Sequence, residues 1–273
     1  MKVEHLTLEN FNGRSFKLTF FKRDENKLLK KSTRPLALVI PGGSFNHYSL
    51  REGEPTALAY VNKGFDAALL YYNLVQDPGN IYPDAALSGL SAIAYFRKNA
   101  DQLGIDPQQI VTTGYSAGGH VAALMNSFAG SKKMQEKYGY DYDTVKANAT
   151  ILGYPLIDID LLGFEIPADQ KQFIPTDDFL RDTSTGVNSL TPPTFVFQCV
   201  DDNVVLIENS LRYVRALQAN KIPYEVHLFD RGGHGFGLAT PELELADRAW
   251  QNDPHLAHWF TLAQEWLHRL TAK

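Results

Sequence analysis

A series of short apolar runs, separated by stretches of helical periodicity, constrains the fold of this chain more than any other feature. Leu36-Ala37-Leu38-Val39-Ile40 is apolar at every position, which suits a strand buried on both faces rather than one. Residues 66–72, 109–115, 149–154, 194–200 and 224–229 read as strands of the same series. Between them, residues 53–63, 84–99, 117–129 and 207–220 read as helices, and a long helix is expected near 255–270. In 84–99, Leu87, Leu90, Ile93 and Ala94 fall on one stripe. The alternation predicts an α/β architecture: a mostly parallel central sheet with helices on both faces. Upstream, 3–11 and 15–22 read as the strands of an N-terminal β-hairpin turning at Asn12-Gly13. Residues 27–34 are basic and polar and read as an exposed loop. The segment 158–190 lacks clear periodicity apart from a helix near 177–182. It reads as a small cap inserted into a single domain spanning 1–273.

Composition removes several classes of function. The 273 residues carry a net charge of −5, so the chain has no evident means of gathering a phosphate backbone, and nucleic acid is not expected as a partner. No segment reaches the roughly 18 apolar residues of a membrane span. Met1 to Phe11 alternates charged and apolar groups instead of forming the apolar core of a secretory signal. The expectation is a cytoplasmic protein with no membrane partner. The single cysteine, Cys199, forms no intrachain disulfide and reads as a core residue of the run Phe195 to Val200.

Gly114-Tyr115-Ser116-Ala117-Gly118 fits Gly-x-Ser-x-Gly and joins an expected strand to an expected helix. That context matters, because the pattern serves a sharp turn that lifts the serine oxygen above a sheet, with small residues on either side letting the backbone pass close to its neighbours. The start of the following helix also offers N–H groups to developing negative charge. Ser116 is therefore the expected nucleophile, and His120, four positions on, reads as a packing or supporting residue. After the first buried strand, Pro41-Gly42-Gly43-Ser44-Phe45 supplies consecutive glycines, whose N–H groups can converge on an oxyanion. Gly43 and Ser44, joined by Ala117, are the expected donors, although sequence does not separate Gly42 from the other two.

The base needs a flexible loop after a late strand. Asp230-Arg231-Gly232-Gly233-His234-Gly235-Phe236-Gly237 supplies one, and His234 is the expected base. An acid must then hold the imidazole tautomer. Asp201 and Asp202 end the strand before the helix at 207–220, giving the chain order Ser, Asp, His. Side-chain chemistry alone does not choose between them, and Asp158 and Asp160 are weaker candidates. Histidine and carboxylate spacing offers no metal pattern, so neither metal nor cofactor is expected.

With these residues in place, the chain resembles the α/β-hydrolase superfamily. It is most similar to the esterase/lipase group that includes acetyl-xylan-esterase-like and hormone-sensitive-lipase-like carboxylesterases. The resemblance runs from about Leu36 to the C-terminus and rests on 114–120, on Glu208-Asn209-Ser210-Leu211 and on Gly232-Gly233-His234-Gly235. Relatives carry His-Gly-Gly-Gly at the oxyanion turn, where this chain has Pro41-Gly42-Gly43-Ser44. They place the catalytic aspartate three residues before a Val-Pro pair, for which Val205-Leu206 stands here, so the resemblance selects Asp202. Tyr72-Asn73-Leu74 stands where relatives have Tyr-Arg-Leu.

The resemblance implies a serine carboxylesterase acting on small-molecule esters with short acyl groups, acetylated carbohydrates among them. A peptidase or arylformamidase of the same fold and, more remotely, a non-catalytic binding protein are the alternatives. Leu161, Leu162, Phe164, Ile166, Phe173, Ile174, Phe179 and Leu180 are candidates to cover the acyl group, and Phe45, Tyr48, Tyr71 and Tyr72 to stack on a sugar. The sequence leaves oligomeric state open, a homodimer included.

Overall fold

The computed structural model describes residues 1–24 and 33–271. An eight-stranded sheet runs through the molecule in the order β1-β2-β4-β3-β5-β6-β7-β8. The hairpin β1 (Lys2–Glu9) and β2 (Ser15–Lys22) pairs antiparallel with full register from Lys2↔Lys22 to Glu9↔Ser15, and β2 continues antiparallel onto β4 (Asp66–Tyr71). From β4 onward every pairing is parallel: β3 (Arg34–Ile40), β5 (Ile105–Tyr115), β6 (Ala149–Gly153), β7 (Thr194–Cys199) and β8 (Tyr224–Phe229).

Two-sided burial explains the unbroken apolar runs. In β3, Leu36, Leu38 and Ile40 enter one core, whereas Ala37 and Val39 enter the other. The first core is closed by α2 (Asp84–Lys98), α4 (Ser116–Ala129) and α8 (Glu208–Ala219), the second by α1 (Glu54–Asn62) and α9 (Pro254–Thr271). Short helices α3 (Ala100–Leu103), α5 (Lys132–Tyr138), α6 (Tyr142–Val145) and α7 (Asp178–Arg181) complete the chain.

Several local expectations shift. The hairpin turn is longer than an Asn-Gly dipeptide: Asn10 N–H donates to the Arg14 carbonyl, Gly13 N–H to the Asn10 carbonyl, and Gly13 takes a φ of 76°. The Asn10 side-chain oxygen accepts from the N–H groups of Asn12 and Arg14, which ends β1 at Glu9 rather than at residue 11. The loop expected over 27–34 falls outside the described residues up to 32, and Arg34 already belongs to β3. Periodicity gives no expectation for 130–148, where α5 is started by the Ser131 side chain accepting from Met134 N–H and stopped at Gly139, φ 70°.

Beneath the N-terminal end of β4, Asp66 is fully buried and accepts from Arg34 Nε at 3.0 Å and from the Arg23 N–H at 2.8 Å. Removing one partner of such a pair strands the other away from water. We expect Asp66→Ala to lower the unfolding free energy by about 3–5 kcal/mol in urea titration. A loss under about 1 kcal/mol, the scale of an exposed pair, would show that this ion pair does not tie β2, β3 and β4 together.

Candidate active site

Backbone crowding shapes the turn at Ser116. A Cβ at Gly118 would land on the carbonyl oxygens of Ile40 and Pro41, one at Gly114 would meet the Gly118 oxygen at 2.5 Å, and one at Gly119 would meet Pro155 Cβ at 2.7 Å. Glycine at these positions lets the start of α4 pack directly against the end of β3. Ser116 itself adopts φ 51°, a left-handed conformation costing on the order of 1–3 kcal/mol that the surrounding packing must enforce. Every residue of α4 is buried, so the turn has a rigid foundation.

His234 brings its ring to this serine. Ser116 Oγ and His234 Nε2 are 2.8 Å apart, and His234 Nδ1 lies 2.7 Å from Asp202 Oδ2. An ionised carboxylate only accepts, so the neutral ring carries its proton on Nδ1 and leaves Nε2 to accept from the serine hydroxyl. The Asp202 side chain is fully buried and is held by further donors: Val204 and Val205 N–H, each at 3.0 Å, and Gln198 Nε2 at 3.2 Å. Asp201 points elsewhere and accepts from Gly232 N–H at 3.2 Å and Gly233 N–H at 2.8 Å. Adjacent carboxylates thus contact different parts of the same loop, one the imidazole and the other its backbone. Asp158 and Asp160 lie apart from this cluster, paired with Arg212 and Arg181.

On the other side of Ser116, Gly43 (φ 125°), Ser44 (φ 51°) and Phe45 (φ 59°) form a strained run. The Gly42 N–H is taken by Glu52 Oε2 at 2.8 Å. Among the described residues, the N–H groups of Gly43, Ser44 and Ala117 have no protein acceptor. Ser44, Ala117 and Ser116 open onto an apolar cavity of about 110 Å3. From the 158–190 segment Leu162, Phe164, Ile166, Phe173 and Ile174 line it, facing Phe45, Ile81 and Tyr82. Leu161, Phe179 and Leu180 do not: Phe179 stacks on Phe128 at 5.8 Å, and both Phe179 and Leu180 pack against the main core.

The expected sugar-stacking aromatics are largely committed. Tyr72 is fully buried with its hydroxyl donating to the Pro41 carbonyl, Tyr48 donates to the Tyr72 carbonyl, and Tyr48 packs edge-on against Tyr71. Only Phe45 of the four lines the cavity.

Several residues that sequence reasoning passes over secure the histidine loop. Gln251 Nε2 donates to the carbonyls of Gly232 (3.1 Å) and His234 (2.8 Å), and Arg51 Nη1 to the Gly235 carbonyl and to Gln251 Oε1. Tyr154 Oη accepts from Gly237 N–H, and Trp259 Nε1 donates to the Gly237 carbonyl. Asn209, within the noted Glu208-Asn209-Ser210-Leu211 segment, accepts from Ile157 and Asp158 N–H and donates to the Leu161 carbonyl. Motif spacing carries no signal for Arg51, Glu52 or Gln251, which read in sequence as polar loop residues.

No helix among the described residues is long and apolar enough to cross a membrane.

The pattern of the BD-FAE family matches residues 26–217. The chain is 34% identical over 217 residues to endo-1,4-beta-xylanase B of Butyrivibrio fibrisolvens, covering 77% of this chain and 33% of that protein. It is 26% identical over 215 residues to an acetylxylan esterase of Xylanibacter ruminicola, covering 74% and 41%. It thus spans less than half the length of either curated relative. A solved carboxylesterase from Lactobacillus plantarum WCFS1 superposes with a TM-score of 0.92 at 31% identity, covering 98% of both chains. The architecture is the α/β-hydrolase fold.

His120, beside the site, is fully buried, and its Nε2 lies 3.0 Å from the Leu180 carbonyl. Burial pushes its pKa down to about 4, against the opposing pull of the Leu180 and Leu156 carbonyls. Since the unfolded ring binds a proton near pH 6.5 and the folded one does not, stability falls as pH drops below about 6.5 and levels off near 4, a loss on the order of 3 kcal/mol. Urea unfolding from pH 7 to 4.5 should give a steeper decline for the wild type than for His120→Gln; parallel profiles would contradict a buried neutral ring.

Proposed function

The chain belongs to the BD-FAE family, in the esterase group of the α/β-hydrolases, and on that premise we propose that it is a serine carboxylesterase hydrolysing short-chain acyl esters of small molecules, acetylated carbohydrates among them. The observation that carries the reading is the unbroken hydrogen-bond chain Asp202–His234–Ser116 beside a cavity and three N–H groups with no protein acceptor among the described residues. Ser116 Oγ attacks the ester carbonyl as its proton passes to His234 Nε2, and the imidazolium is stabilised by Asp202. Negative charge on the carbonyl oxygen is met by the N–H groups of Gly43, Ser44 and Ala117. The tetrahedral adduct collapses when His234 returns the proton to the leaving alcohol. Water, deprotonated by the same imidazole, then cleaves the acyl-enzyme.

The cavity supports an assignment of sides. His234 does not line it, whereas Ser116, Ala117 and Ser44 do. A leaving alcohol must lie within reach of His234 Nε2 to receive its proton, so the cavity takes the acyl group. The 158–190 segment acts as its cap, held to α8 by Arg212, which pairs with both Asp158 and Asp182. The two xylan-related relatives support a carbohydrate alcohol.

An aryl phosphonate that phosphonylates folded protein at Ser116, located by peptide mass spectrometry, tests the nucleophile directly; a covalent adduct on another residue would overturn the reading. Asp202→Asn should lower kcat by about 10⁴-fold by favouring the wrong histidine tautomer, with a far smaller effect for Asp201→Asn. Equal losses in the two variants would remove the distinction between the neighbouring acids.

Acyl preference follows from the size of the cavity. Each fully buried methylene contributes about 0.8 kcal/mol, so a deep channel would reward long chains steeply, while a pocket of about 110 Å3 cannot. On p-nitrophenyl esters from acetate to palmitate, kcat/KM should peak between acetyl and butyryl. A maximum at eight carbons or beyond would refute the short-acyl assignment.

A further inference from the structure

Two loops from distant parts of the chain face each other across Ser116: residues 41–53, carrying the oxyanion donors, and residues 230–237, carrying His234. Glu52 touches the machinery of both. It is 3% exposed, and its two oxygens have different partners. Oε2 accepts from the Gly42 N–H at 2.8 Å, while Oε1 accepts from the Tyr154 hydroxyl at 2.7 Å. Tyr154 has a single proton, directed at Glu52, so its oxygen is free to accept the Gly237 N–H at 3.0 Å. The result is a continuous relay in which donors from the base loop, through Tyr154, and from the oxyanion loop, through the Gly42 N–H, converge on the Glu52 carboxylate.

We propose that Glu52 is a positioning residue that sets the oxyanion loop and the histidine loop in register through this relay, a role that rests on the reading of Ser116 as nucleophile. Gly42 is the leverage point on one side. A Cβ there would lie 2.8 Å from Ser116 Cβ and 2.9 Å from Glu52 Oε2, so this peptide is sandwiched between the serine and the carboxylate. Anchoring the Gly42 N–H behind Ser116 sets the planes of the next peptides, and the left-handed run Gly43-Ser44-Phe45 follows from it. That run is pinned at its far end by Val75 N–H donating to the Phe45 carbonyl at 2.9 Å, and at its start by Asn46 N–H donating to the Gly43 carbonyl at 2.9 Å. On the other side, the Tyr154 ring lies edge-on to His234 with centroids 5.0 Å apart.

The two ends are separable from folding. Arg51 and Gln251 grip the carbonyls of the histidine loop without Glu52, so that loop keeps supports when the relay is cut. Glutamine at position 52 preserves shape but not polarity. Its oxygen can serve the Gly42 N–H, and its NH2 group then confronts a tyrosine hydroxyl already accepting from Gly237. Phe at 154 removes the bridge while sparing the contact with Gly42.

The experiment compares wild type, Glu52→Gln and Tyr154→Phe, each counted by stoichiometric phosphonate labelling of Ser116 and checked for fold by circular dichroism. For each, kcat and KM on p-nitrophenyl acetate are expressed per labelled site, and the inhibition constant of an aryl trifluoromethyl ketone, which forms a tetrahedral adduct, is measured. An oxyanion donor is worth about 10²–10³-fold and small misplacements cost comparably, so Glu52→Gln should lower kcat per site by roughly 10–100-fold. The same donors serve acylation and deacylation, so KM should hold within about twofold while ketone affinity weakens in parallel with kcat. Tyr154→Phe should move the same way by a smaller factor. A merely structural Glu52 would lower the labelled fraction or the melting temperature and leave kcat per site and ketone affinity at wild-type values, which overturns the proposal. If Glu52→Gln does not fold, wild-type per-site kcat and ketone affinity in Tyr154→Phe overturn it equally. Wild-type protein that labels at a residue other than Ser116 defeats the esterase reading first, and the positioning role with it.

Discussion

The end of β3 and the start of α4 approach more closely than any side chain would allow, and the candidate site is arranged around that contact. Gly118 has no Cβ because the space belongs to the carbonyls of Ile40 and Pro41. The contact places the exit of β3, with Gly43 and Ser44, against the turn that carries Ser116. It also forces Ser116 into a left-handed conformation, which persists only because the strand before it is central in the sheet and the helix after it is buried along its whole length. The strain is concentrated where the scaffold is stiffest.

Around that rigid point the remaining groups arrive on loops, which are entropically costly to hold in one conformation. The histidine loop is constrained by satisfying its backbone. Gly232 and Gly233 N–H go to Asp201, the carbonyls of Gly232 and His234 to Gln251, those of Gly235 and Phe236 to Arg51, and both polar groups of Gly237 to Tyr154 and Trp259. A cluster of aromatic rings lies beneath, with Phe197 and Trp259 stacked at 4.0 Å. The 158–190 segment is held differently, by ion pairs at its edge, by Asn209 and by the His120 contact to Leu180. The Arg181–Asp160 pair is exposed and contributes little, whereas Asp158 is buried beside Arg212 and Phe179 and Leu180 anchor the segment on the main core.

Asp201 and Asp202 illustrate how little chemistry distinguishes residues with separate tasks. Both follow β7 in a turn closed by the Asp202 N–H on the Cys199 carbonyl, and their side chains leave that turn in different directions, one carboxylate to the imidazole and its neighbour to the N–H groups two and one positions before it. The first, fully buried, accepts from three further donors; the second accepts from backbone N–H groups.

The sequence by itself determined the eight strands, the main helices between them and the turn at Ser116, because burial on both faces and backbone crowding leave local marks: unbroken apolar runs and obligatory glycines. His234 was legible for the same reason, as a histidine in a glycine-rich loop after a late strand, and the resemblance pointed to Asp202. The hairpin was legible too, but not its turn, since the Asn10 side chain captures backbone that a shorter turn would have used. Phe179 and Leu180 fall in the helix expected near 177–182, but nothing in that expectation says that they pack on the core while Phe173 and Ile174 line the cavity. Glu52 is the extreme case. No motif marks it in the sequence, and only the tertiary structure buries it between Gly42 and Tyr154, because hydrogen-bond partners 10 and 102 residues away along the chain are brought together by sheet topology and not by any spacing a sequence displays.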